Sequence, residues 1–126
     1  MIRTVFAIAM LVATSALPAQ DAMEGTFSIV ARDPATGELG AAVQSKAFAT
    51  GSRAISIKGG VAAIAHQASS NPMYGALGME LLTNGMTPQQ ALDMMLRSDE
   101  GRDSRQVAIL DISGRSAAWS GKGASD

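Results

Sequence analysis

The chain reads as an α+β sandwich, a helix pair laid over one face of mostly antiparallel sheet, and three features of its 126 residues say so. Apolar residues alternate with period two from Thr26 to about Ala68, recur with a period near four from Met73 to Leu96, and alternate again from Val107 to Trp119. Glycine- and proline-containing joints separate the runs. Strands and helices segregated in this order pack as a sheet with helices to one side.

Residues 1–19, "MIRTVFAIAMLVATSALPA", place Arg3 ahead of the apolar run Val5 to Val12 and end in small residues, with no acid before Asp21. That is the order of a cleaved secretory signal. The run is shorter than the roughly 20 residues of a comfortable membrane span, so an uncleaved anchor is the weaker alternative. A signal peptide over 1–19, a short pro-segment over 20–25 and one domain over 26–126 are therefore expected, in a secreted or periplasmic product with no stable membrane span after cleavage.

From Thr26, Phe27, Ile29 and Ala31 form one apolar face against Ser28, Val30 and Arg32 on the other, which is strand grammar. Asp33, Pro34 and Gly37 make a turn, so Leu39 to Ser45 is expected to return antiparallel to the first strand. "AFATGSR" reads as a loop. "AISIKGGVAAIAHQA" gives two more strands joined at Gly59-Gly60, and the four together suggest a meander. Asn71 and Pro72 then open a helix whose stripe is Met73, Leu77 and Leu81, ending at Asn84-Gly85. Thr87, Pro88 and Gln90 open a second with a capping box, its stripe Ala91, Leu92, Met95 and Leu96. Val107, Ile109 and Asp111 alternate with Ala108 and Leu110 in a further strand, and Ser113-Gly114 turns into the last, through Trp119. The methionines of the helices read as flexible core filling.

Ten Lys and Arg against 11 Asp and Glu leave no single-sign field, so nucleic acid is not an expected partner. The absence of cysteine removes a disulfide scaffold, a thiolate zinc site and a catalytic thiol, and the single histidine leaves little for a metal. No metal or cofactor is expected.

Thr26 is the residue with chemistry to offer. A threonine hydroxyl is a weak nucleophile, but at the start of a chain its own α-amine, of pKa about 8, serves as general base. Gly25-Thr26 would then be the processing site, since glycine leaves the hydroxyl room to reach the preceding carbonyl. Spacing alone favours the plainer reading, that Thr26 simply opens a strand. Asp33 lies about 23 Å up that strand and reads as a turn former. Gln44 and Ser45 end the returning strand beside Thr26, where a polar orienting role is open to them, and Ser28 shares the face of Thr26. His66 reads as a strand-end histidine with a satisfied hydrogen bond, since no third partner accompanies Ser69 or Ser70 in a triad. Asn71 reads as a helix cap whose amide also suits an oxyanion site.

The stretches "TFSIVARDPATGELGAAVQSKAFATG", "GGVAAIAHQASSNPMYGALGMELLTNGMTPQQALDMML" and "RQVAILDISGRSAAWSGKG" closely resemble the family called domain of unknown function 1028 (DUF1028), which is placed with the N-terminal nucleophile (Ntn) hydrolases. The resemblance covers nearly everything from Thr26 onward. It implies a four-layer α-β-β-α sandwich and a chain-initial threonine nucleophile, here Thr26, acting on a small-molecule or peptide amide that it does not identify. By similarity to the proteasome it also implies a lysine whose charge lowers the pKa of the amine and hydroxyl. Lys58, on the third strand, has the similar separation from Thr26, and Lys46, at the end of the second, is the other candidate. The family's domains continue beyond "SGKGASD", which implies a sandwich incomplete at its C-terminal side: a fragment, a truncated product or a homo-oligomer. An exported Ntn-type amidohydrolase is thus expected, with a non-catalytic exported binding domain or remnant of the same fold as the alternative.

Overall fold

The computed structural model describes residues 25–124; the signal peptide expected over 1–19 and most of the pro-segment lie outside them. Six strands and three helices follow in the order β1 (Phe27–Arg32), β2 (Leu39–Gln44), α1 (Thr50–Ala54), β3 (Ile55–Lys58), β4 (Ala62–Ala68), α2 (Met73–Thr83), α3 (Pro88–Arg97), β5 (Arg105–Asp111) and β6 (Ser116–Ser120), with a 3-10 turn at Arg102–Ser104. The architecture is α+β with two antiparallel sheets.

The strands do not form one meander. β1 and β2 make a hairpin sheet of their own, while β3-β4-β5-β6 make a second, four-stranded sheet. The short α1, expected as loop, stands between them and turns the chain from one sheet to the other. It is entered through Ala49 in the left-handed region, at φ 56°, a conformation that periodicity does not report. β1 lies over β4 and β5, β2 over β3 and β4, and α2 and α3 cover the opposite face of the four-stranded sheet. The layers are therefore sheet, sheet and helices.

Turn chemistry closes the first hairpin as its residues demand. The Asp33 carboxylate accepts from Ala35 N (2.7 Å), the Asp33 carbonyl from Gly37 N (2.8 Å), and Gly37 sits at φ 76° where a side chain would be strained. Directly paired residues share a face, so the register Ser28↔Val43, Val30↔Ala41 and Arg32↔Leu39 puts these six side chains on the half-buried inner face. The apolar alternate face, Phe27 and Ile29, points outward, each 59% exposed. Alternation defines two faces but not which of them receives the second layer, and here the mixed face does.

The helices follow their caps. Thr87 and Gln90 form the expected capping box, and α3 buries Pro88, Ala91, Leu92 and Met95. On α2 the packed stripe is Tyr74, Gly78, Leu81 and Leu82, one step round from the expected stripe, and Met73 is exposed. Two glycines decide this: a Cβ on Gly78 would lie 2.8 Å from Ile64 Cδ1 and 3.0 Å from Met95 Sδ, so the helix rests on the sheet through its bare side. Ile64, Val107, Ile109 and Ala117 meet Tyr74, Leu81, Leu92 and Met95 in the core. Burying each large member contributes about 1.5–3 kcal/mol.

Candidate active site

Thr26 stands just before β1, and the hairpin brings the end of β2 back beside it. Thr26 Oγ1 and Ser45 Oγ are hydrogen-bonded at 2.7 Å, and Ser45 Oγ also accepts from Ala47 N at 3.0 Å. The backbone donor uses one Ser45 lone pair, which orients that hydroxyl toward Thr26. Beside the pair opens a cleft of about 260 Å³ between the two sheets, lined by Thr26, Ser28, Ala65, Gln67, Gln106 and Ala108 among others. Ala65 is paired directly with Ala108 and Gln67 with Gln106, so two methyl groups make a low floor with two carboxamides next to it.

The expected site residues separate. Thr26 and Ser28 line the cleft and Ser45 touches Thr26. Gln44, paired with Phe27, projects from the outer face of the hairpin and is exposed, so it does not orient Thr26. Lys46 is exposed, one residue beyond Ser45, and is not among the residues lining the cleft. Lys58 is turned away altogether: it pairs with Ala62, a member of the helix-covered core, and its Nζ donates to Thr83 Oγ1 on α2 at 3.1 Å. The correction is one of parity, because the residues of β3 that share the hairpin-facing side with Ala63 and Ala65 are Ile57 and Ile55, not Lys58. Asn71 is likewise occupied elsewhere, its Oδ1 accepting from Met73 N (3.1 Å) and its Nδ2 donating to Asp99 Oδ2 (3.5 Å). It braces the chain just ahead of α2, whose N-cap position is Pro72, and does not donate to the cleft.

Gln67 and Gln106 were not singled out by the sequence. Their signal is present there, since Gln67 is a long polar residue in phase with Ala63 and Ala65 on an otherwise apolar face of its strand. It gains meaning only once β1 is known to lie over β4.

A second polar cluster lies on the helix side. His66, 2% exposed, is joined through Nδ1 to Ser70 Oγ at 2.7 Å and meets Tyr74 edge-on with centroids 6.5 Å apart. Desolvation lowers its pKa, favouring the neutral ring. Asp99 accepts from Arg105 Nε (2.9 Å), Tyr74 OH (2.8 Å) and Gly101 N (2.9 Å). The Arg105 hydrogen bond above all holds its carboxyl far below the usual carboxylate range, while burial, then Asp99, pushes the Tyr74 phenol up. These groups bind α2 to the start of β5. Among the described residues no group of three or more His, Cys, Asp or Glu gathers to hold a metal, and no helix is long and apolar enough to cross a membrane.

Comparison with known proteins agrees with the architecture. A family model described as a family of unknown function (DUF1028) matches residues 26–126. The crystal structure of a protein from Silicibacter pomeroyi, described with the same family model, superposes with a TM-score of 0.73 at 31% sequence identity. The match covers 77% of this chain and 43% of that one, so the chain spans less than half the length of its neighbour. No curated protein matches.

Proposed function

The chain belongs to the DUF1028 family, and from that premise we propose that it is an exported Ntn-type amidohydrolase with Thr26 as nucleophile. The observation that carries the reading is the Thr26–Ser45 hydroxyl pair, 2.7 Å apart at the mouth of an uncharged cleft. Once the Gly25–Thr26 bond is cut, the freed α-amine takes the hydroxyl proton and Oγ1 attacks an amide carbonyl carbon. The C–O bond forms, the C–N bond breaks, and the proton leaves with the amine. Water then hydrolyses the ester and restores the hydroxyl. Ser45 holds Oγ1 toward the cleft throughout. The mechanism calls for no metal or cofactor, and its substrate is a small-molecule or peptide amide met in the periplasm or outside the cell.

Of the two lysines, Lys46 is the one at the Thr26 end of the hairpin and is the candidate for supporting charge. The position of Lys58 favours, as a second reading, a non-catalytic exported domain or remnant that keeps the fold, because the lysine at the proteasome-like separation faces α2 instead of the nucleophile.

N-terminal sequencing and intact mass of the exported product decide between them. A chain beginning at Thr26, with Thr26→Ala abolishing both processing and acyl-adduct formation, is expected. A product that begins near Gln20 and keeps Gly25, with Thr26→Ala changing nothing, overturns the hydrolase reading.

A further inference from the structure

We infer that Gln67 is the donor that receives the substrate's carbonyl oxygen as Thr26 attacks, an assignment that rests on the hydrolase reading above. Gln67 lines the same cleft as Thr26, on the facing sheet. It is 7% exposed, and its Nε2 has no hydrogen-bond partner among the described residues. A buried donor without an acceptor is costly and in native proteins calls for an explanation. An acceptor arriving with the substrate is that explanation.

Elimination reaches the same residue. No side chain that lines the cleft among the described residues is ionised, so apart from the Thr26 ammonium formed as the amine takes its proton, the charge developing on the oxygen is met by neutral dipoles. Three lining side chains carry N–H groups: Gln67, Gln106 and Trp119. Gln106 Nε2 donates to Ser120 Oγ at 3.0 Å, and Trp119 Nε1 to the Arg102 carbonyl at 3.0 Å. Of the three nitrogens, Gln67 Nε2 alone is buried with no acceptor at all among the described residues. The terminal torsion of glutamine is soft, so its amide turns to an oxygen lodged above the small floor of Ala65 and Ala108. A neutral lining also specifies the substrate portion seated there, which is an uncharged amide.

The test uses the exported, processed protein and a β-lactone probe, which acylates an N-terminal threonine. Gln67→Met keeps the length of the side chain and removes the donor; Gln67→Glu keeps the shape and exchanges the donor for an acceptor. Both variants are expected to label at Thr26, located by tandem mass spectrometry, about 100-fold more slowly per folded molecule than the parent. Gln67→Met is expected to melt no lower than the parent, since the unsatisfied donor goes with the amide. Labelling of Gln67→Met within about twofold of the parent rate overturns the Gln67 assignment and leaves the hydrolase reading standing. A lowered melting temperature with an unchanged rate per folded molecule overturns it too, by giving Gln67 a structural role. A processed parent protein that takes no label at Thr26 overturns both.

Discussion

Single residues set the chemistry here through the face they occupy. His66 and Gln67 are consecutive, yet the imidazole lies against Tyr74 and Ser70 while the carboxamide lines the cleft with Thr26. Acid should act on the helix-side cluster in two stages. The folded-state pKa of His66 is lowered, so below about pH 6.5 the unfolded chain binds a proton that the native one refuses, and stability falls as the pH drops. Asp99 is also lowered, by Arg105 first, so its contribution is present above about pH 4 and is lost only on stronger acidification. Denaturant titrations at successive pH values are expected to show both declines, the first absent from His66→Gln and the second from Asp99→Asn, with slopes of at most about 1.4 kcal/mol per pH unit for each group. The pairing of Thr26 with Ser45 was legible in the sequence, because closing a hairpin at Asp33 to Gly37 returns the end of β2 to the start of β1. The place of Lys58 was not, because its separation from Thr26 says nothing of which layer covers its side of β3.

At the scale of elements, the cap and the stripe of α3 were legible and the stripe phase of α2 was not. Thr87, Pro88 and Gln90 specify the start of α3 by local hydrogen bonds that need no tertiary partner. The phase of α2 depends on what it meets: an apolar stripe through Met73 and Leu77 was available, but Gly75 and Gly78 allow closer contact along the next row. Gly78→Ala tests this. Its Cβ would crowd Ile64 Cδ1 and Met95 Sδ, and the added methyl is expected to destabilise by about 1–3 kcal/mol, despite the higher helix propensity of alanine. Thermal or denaturant unfolding measures it. Combining Gly78→Ala with Met95→Ala is expected to cost less than the sum of the two single losses if the clash is the cause, since neighbouring changes of opposite volume couple.

For the whole molecule, the main surprise is the polarity of the hairpin sheet. Its inner face carries Ser28 and Arg32 and its outer face Phe27 and Ile29, so the described layers end on an apolar surface. Such a surface binds apolar dyes and promotes association. Phe27→Thr with Ile29→Thr is expected to lower binding of 8-anilinonaphthalene sulfonate and to reduce association in analytical ultracentrifugation, while leaving strand propensity nearly unchanged. The α+β class was legible because element order and periodicity are local. The division into two sheets was implied by the family resemblance and not by periodicity, because the register that pairs β4 with β5 joins residues far apart in sequence.

β4 is covered on both sides, by the hairpin sheet and by the helices, with Ala62 to Gln67 all buried. Alignment of this one strand therefore determines what the molecule is equipped to do. A shift of a single position would carry the imidazole into the opening and the carboxamide beneath the helices, converting a neutral polar pocket into a titrating one from the same composition.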